Sequence, residues 1–288
     1  MASANTAADK TAGGGRRLIV FKALALLALL AVTVYGMLDG GLYFEEQWLP
    51  VAAGILGFSV LTLFFRNYYL SVPKVGWVLV ILLGALVLVK GLSLLWTISQ
   101  ALTVQELVRS AMYLAVFAVA LASVAYRRQA APLVDAMNLA IAPVAAYGLL
   151  QKINPVEFPA STTSPERVSS TLEYANTFAM VVALGIMLAL SRLGSLSNPL
   201  ARATYAVLLL GLCAALYFTL SRGGFASLGL GVVVFLVLCA DRLHNFGNLL
   251  LLCAPVLWLV HRTQDHAALY DRNAAEAEQL AAGGALLT

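Results

Sequence analysis

Nine runs of apolar residues, each close to the length of a bilayer crossing, constrain this chain more than anything else in it. They cover approximately 18–38, 49–65, 75–95, 107–126, 132–150, 171–191, 203–220, 223–240 and 246–260. A helix needs about 20 mostly apolar residues to cross about 30 Å of hydrocarbon. Lipid offers no partner for open backbone groups, so every run is expected to be a helix. The sequence therefore predicts an all-α, polytopic integral membrane bundle with about nine transmembrane helices. The first run is too long for a cleaved signal peptide, and no small-x-small cleavage site follows it.

Composition closes off the alternatives. Of the residues, 61% are hydrophobic and 11% charged, where soluble domains have about 45–50% and about 25%. That excludes an ordinary soluble enzyme, a disordered chain and a disulfide-stapled secreted domain. Cys213, Cys239 and Cys253 all lie inside apolar runs. They read as small apolar side chains, with no disulfide framework and no zinc spacing. The net charge of +4 is spread through the loops, so no nucleic-acid partner is expected.

Loop charge gives an orientation. With the N-terminus inside, 11 of the 18 Lys and Arg fall in the inner set and 7 in the outer. The acids are more lopsided: only Asp9, Asp135 and Asp241 are inner, against 11 of 14 outer. The excess of inner cations predicts an N-in, C-out protein of the cytoplasmic (inner or plasma) membrane. Trp48, Trp96 and Trp258 mark outer ends, and Tyr68, Tyr69, Trp77 and Tyr126 inner ends, as interfacial aromatics do. Residues 1–15 read as a disordered cytoplasmic lead, 16–260 as the transmembrane domain, and 261–288 as the start of a truncated extracytoplasmic loop. Within that last stretch AAEAEQLAA reads as a helix, followed by GGALLT with no partner. The long outer loop 151–170 carries three prolines, which forbid a long helix there.

Outer-face arginines run against the charge rule and so need a reason. Arg167 lies in ERVSSTLEYANTFA, just before the sixth run. Arg222 lies in FTLSRGGFASLGLG, between the seventh and eighth, with almost no loop around it. A charge at bilayer depth costs at least about 2.5–3.5 kcal/mol. Arg222 therefore either faces a wet cavity or a partner, or snorkels to the outer headgroups. An arginine fork grips phosphate oxygens with two parallel hydrogen bonds. Two such residues at helix ends suit the pyrophosphate of a membrane lipid. Ser221 can add a hydroxyl, and Gly223 with Gly224 allows close backbone approach. Gly223, Ser227 and Gly231 also form a small-residue stripe, read here as helix packing. No metal or cofactor is expected, because the outer pair Glu45 and Glu46 is adjacent and would splay on a helix.

These two blocks, R-x-S-S-T-L-x-Y-A-N-T-F-A and T-L-S-R-G-G-F-A-S-L about 50 residues on, resemble the O-antigen ligase/polymerase superfamily. Arg167, Asn176, Phe178, Ala179, Thr219, Ser221, Arg222 and Gly223 match. Tyr174-Ala175 departs from the Asn-Pro-like pair common there. The resemblance implies a metal-independent glycosyltransferase of the multi-span, GT-C-like class. It would transfer or polymerise glycans from an undecaprenyl-pyrophosphate donor onto a glycan, lipid or protein acceptor at the outer face. It implies pyrophosphate binding by Arg167 and Arg222, supported by Asn176, Ser221 and Gly223. It also implies a general-base histidine in a large outer loop beyond Thr288. His261 and His266 lack a His-x-x-Asn-like context and take no base role. Two other classes fit a multi-span chain. A transporter or flippase of lipid-linked sugars would show broken helix pairs in matching halves, whereas only Pro143 and Pro255 fall mid-run. A non-catalytic membrane protein would hold Arg167 and Arg222 apart in space.

The charge asymmetry makes a prediction about sidedness. In intact cells a membrane-impermeant thiol reagent should label E45C and leave R128C untouched. The opposite pattern would reject the N-in topology.

Overall fold

The computed structural model describes residues 2–65, 67–70, 72–124, 127–159, 166–264, 266, 269 and 276–285, of which the side chains of 2–17, 127–129, 264, 276, 277 and 279 are left aside. Arg66 and Tyr126, and the side chains of Arg127 and Arg128, on which part of the orientation argument rests, lie outside that description. Among the described residues all regular structure is helical. The helices are α1 (Ala2–Leu38), α2 (Glu45–Leu63), α3 (Lys74–Ser93), α4 (Gln100–Ser123), α5 (Arg127–Ile153), α6 (Ala175–Ser195), α7 (Pro199–Phe218), α8 (Arg222–Leu238), α9 (Arg242–Gln264) and α10 (Glu276–Ala285). A 3-10 turn at Ser170–Leu172 precedes α6.

Each of the nine apolar runs is a helix, and eight of these helices are long and apolar enough to cross a membrane. The protein is a multi-span membrane protein. The exception is α8, which has 17 residues. It is trimmed at both ends by extended backbone, at Ser221 (ψ 105°) and Cys239 (ψ 146°).

Helix ends differ from the apolar runs, for local reasons. The α1 helix starts at Ala2, where a disordered lead was expected, and it runs through Gly13, Gly14 and Gly15 against their low helix propensity. The α2 helix starts at Glu45, because the Gln47 side chain accepts the Phe44 N–H at 3.2 Å and two glutamates in the first turn suit its dipole. Gly283, which opens the GGALLT tail, does have a partner. A Cβ on Gly283 would overlap the Ile153 backbone, and Ala282 and Leu269 are buried in the same core as Phe178. The three cysteines are free thiols.

The expected single domain at 16–260 divides into two compact units: Met1–Thr33 with Leu42–Ala130, and Val34–Gly41 with Ala131–Thr288. In the first, α4 packs against α2 and α3. Trp48, Ala52, Ile55, Met112 and Ala115 form one core, and Ala25, Tyr68, Val119 and Ala122 another. The charged residues of α4 are paired: Glu106 meets Lys90 at 3.3 Å and Arg109 at 2.7 Å. The Arg109 guanidinium also lies 4.8 Å from the Trp48 ring.

The second unit is organised by α6, which packs against α7, α8 and α9. Its buried face is rich in small residues, including Ala175, Ala179, Ala183, Gly185 and Ala189. In lipid, helices associate by close van der Waals contact, and small residues permit it. At one end of this unit Arg192 holds Asp135 with two hydrogen bonds, of 2.6 and 2.9 Å, and Tyr205 donates to the same carboxylate. That cluster ties α5, α6 and α7 together. At the other end Gly148 lets the Phe178 ring and Val168 lie against α5. A Cβ there would stand 2.8 Å from Phe178 and 2.9 Å from Val168.

Two glycines separate packing from propensity. Gly148→Ala should lower the melting temperature, since overpacking costs about 1–3 kcal/mol. Gly211→Ala on α7, where an added Cβ meets nothing within 4 Å, should hold or raise it. Equal shifts in a thermal melt of the two variants would refute this account of α5.

Candidate functional site

The two sequence blocks singled out above meet at one end of α6. The strap at 166–169 lies against the turn between α7 and α8: Val168 N–H donates to Phe218 C=O at 3.0 Å. Arg167 Nε donates to Thr219 C=O at 2.7 Å, and its Nη2 donates to Asn176 Oδ1 at 2.6 Å. Ser221 Oγ donates to that same Asn176 oxygen at 3.0 Å, and Asn176 Nδ2 donates to Tyr174 Oη at 2.8 Å. One asparagine amide on α6 thus joins the strap to the start of α8.

The turn itself explains the Thr-Leu-Ser-Arg-Gly spelling. Thr219 caps the end of α7 and returns its hydroxyl to Leu216 C=O at 2.6 Å. That hydroxyl also accepts the Ser221 N–H at 3.2 Å. Leu220 takes a left-handed conformation, φ 51°, which reverses the chain in one residue at some cost in strain. Ser221 is the N-cap of α8 and accepts the Gly224 N–H at 3.2 Å. Thr219 and Ser221 are buried, and their hydroxyls serve the turn, as buried polar groups must.

Arg222 is the first residue of α8. It is exposed, and among the described residues it has no hydrogen-bonding or ionic partner. Arg167 is half-buried and uses two of its N–H groups internally. A guanidinium has five donors in a fixed fork, so donors remain on Arg167 for a further acceptor. The anion-binding capacity at this end of α8 is therefore one free arginine, the spare donors of a second, and the partly unpaired N–H groups of a helix N-terminus.

The glycines divide the work. Gly223 is exposed and a Cβ on it would meet nothing within 4 Å, so backbone approach there is open. Gly224 is buried, and a Cβ on it would stand 2.7 Å from Ala179 Cβ. The packing stripe of α8 therefore runs through Gly224, Leu228, Gly231 and Phe235; it keeps Gly231 of the expected stripe and replaces Gly223 and Ser227 with their neighbours Gly224 and Leu228. Ser227 is exposed, which takes it out of the interface.

Reading the sequence missed two participants. Tyr174 stood out only as a departure from a motif, yet it closes the Asn176 amide. Lys152 counted only as an outer charge, yet it is buried at the end of α5, donating to Glu166 C=O at 2.7 Å. Its Nζ also lies 6.0 Å from the Phe218 ring. A lysine next to a glutamine at the end of an apolar run was the available signal: Gln151 accepts the Ser170 N–H at 2.9 Å and donates to Pro159 C=O at 2.9 Å. His261 is exposed at the end of α9, and His266 donates its N–H to Thr263 C=O at 3.2 Å.

No family model, curated protein or solved structure matches this chain.

The Asn176 bridge yields a stability prediction. Asn176→Ala leaves an arginine N–H and a serine hydroxyl without their acceptor and should cost about 1–3 kcal/mol. Asn176→Asp keeps that oxygen and should melt close to wild type. A thermal scan in detergent with both variants indistinguishable from wild type would remove the bridge from the argument.

Proposed function

We propose that this chain carries the donor site of a membrane glycan ligase or polymerase. The enzyme would move a glycan from undecaprenyl pyrophosphate to an acceptor at the outer face of the cytoplasmic membrane. The observation that carries the reading is the exposed Arg222, without a partner among the described residues, which begins a helix whose capping Ser221 is hydrogen-bonded to the same asparagine as Arg167. The resemblance of the two blocks to the O-antigen ligase/polymerase superfamily supplies the reaction class. The loop charges supply the outer location.

In this reading a base takes the proton of the acceptor hydroxyl. Its oxygen attacks the anomeric carbon, and the bond to the pyrophosphate oxygen breaks with both electrons leaving on that oxygen. Arg222 and the spare donors of Arg167 meet the charge that grows there. Donors fixed in advance need no reorganisation as the bond breaks. Ser221, Asn176 and Tyr174 act as positioning residues, which hold Arg167 and the start of α8 in register. Gly223 keeps the backbone N–H groups of the first turn within reach of phosphate oxygens. No base is assigned among the 288 residues.

Donor binding can be tested without turnover. The purified chain in nanodiscs should bind a polyisoprenyl pyrophosphate and not the corresponding polyisoprenol. Arg222→Ala should weaken that binding about ten- to a hundredfold, the worth of hydrogen bonds to a charged group. Arg222→Lys should fall between, since it keeps the charge and loses the fork. In cells, surface glycan assembly should drop about 10²–10³-fold for Arg222→Ala. Equal binding of the uncharged lipid, or wild-type binding by Arg222→Ala, would overturn the proposal.

A further inference from the structure

The first unit carries a cavity that the donor site does not use. It is a groove of about 350 Å³ lying on α4 between α2 and α3. It exists because α4 packs against both neighbours while α2 and α3 make little contact with each other. Its floor is Ala111, Ala115 and Ala118, spaced at helical intervals on α4, and its walls include Leu56, Leu63 and Val80. The hydroxyls that border it are already engaged. Ser59 donates to Leu56 C=O at 2.7 Å, and Tyr69 shares a 2.6 Å hydrogen bond with Thr62. Those hydroxyls ask nothing of an occupant, so the groove suits hydrocarbon.

Its position and charge specify which hydrocarbon. Along α4 the floor rises from Ala111 to Ala118, about 10 Å at 1.5 Å per residue, which fits within one leaflet of a core about 30 Å thick. The Tyr69 and Trp77 rings, 6.3 Å apart, stand where the groove meets the segment joining α2 to α3, the interfacial position for such side chains. Lys74 lies one turn before Trp77 on α3. It is exposed and has no ionic partner among the described residues. By sequence, the segment 64–74 holds Arg66 and Lys74 with no acid, and 124–129 holds Arg127 and Arg128 with no acid.

We infer that this groove binds one acyl chain of an anionic glycerophospholipid, with its headgroup at Lys74. The site is independent of the donor reading, because it lies within the first unit and uses none of the residues around Arg222.

Native mass spectrometry of the purified chain, offered phosphatidylglycerol, phosphatidylcholine and a polyisoprenyl phosphate at equal concentration, tests it. One phosphatidylglycerol should be retained per chain, about fivefold over phosphatidylcholine, the worth of one lysine at an anionic surface. Lys74→Gln should abolish that preference and leave phospholipid retention in place. Ala111→Phe fills the floor and should abolish retention. Should Ala111→Phe fail to fold, a phospholipid with a diazirine in its acyl chain decides on wild-type protein, where crosslinks should concentrate on Leu56, Val80 and Ala111. Equal retention of the two phospholipids, preferred retention of the polyisoprenyl phosphate, unchanged retention by a folded Ala111→Phe, or crosslinks spread evenly over the helices would each overturn the inference.

Discussion

The carbonyl oxygen of Thr219 sits where α7 ends, among the acceptors a helix terminus leaves without a ladder partner. In or near lipid such a group is costly to strand. Arg167 meets it at 2.7 Å, and most of the site depends on that contact. It lets α7 stop, lets Leu220 reverse the chain, and lets α8 restart at Ser221 with almost no loop. The same guanidinium takes Asn176, so the start of α6 is fixed to the same turn. Helices that must each satisfy their own backbone are thus joined at their ends by one side chain with donors to spare.

The second unit uses arginine differently at its two ends. Arg192 is neutralised: it grips Asp135 with two hydrogen bonds, with Tyr205 on the same carboxylate. Breaking a pair of this kind leaves a charge without compensation in a poor solvent. Asn176 and Arg192 lie 16 positions apart on α6, about 24 Å along a helix. Between these polar ties, small residues pack the helix closely against its neighbours. A central helix held at both ends is a rigid platform, the kind of element on which a precisely positioned polar group belongs. The free charge lies at the Asn176 end.

The sequence made the helices legible because a transmembrane run leaves the backbone no other choice. Helix ends were less legible, and α4 shows why. It begins at Gln100, about two turns before its apolar run, and its charged Glu106 and Arg109 find partners in Lys90 and Trp48 on other elements. Hydropathy along a chain cannot register a partner distant in sequence. The same limit applies at the site. Arg167, Asn176, Ser221 and Arg222 could be singled out by residue type and spacing. Thr219 C=O could not, since a backbone acceptor has no letter of its own. The division into two units was equally hidden, because the apolar run of α1 continues unbroken past Thr33 into Val34–Gly41.

Four of the arginines differ in how far their charge is compensated. Arg109 is paired with Glu106 and lies over Trp48. Arg192 is closed by Asp135. Arg167 is half used, by one carbonyl and one amide oxygen that bring no neutralising charge. Arg222 is unused among the described residues. Within the second unit, Arg192 is compensated by a carboxylate, while among the described residues Arg167 and Arg222 are not. A membrane protein that needed these residues for packing alone would gain by closing each with a carboxylate, as it does with Arg192. Leaving two guanidinium groups without counter-charge among the described residues, one bonded to Asn176 and one next in sequence to Ser221, is costly for folding. In the proposed donor reading, an anion from outside the chain would offset that cost, and the fixed fork geometry would suit phosphate oxygens.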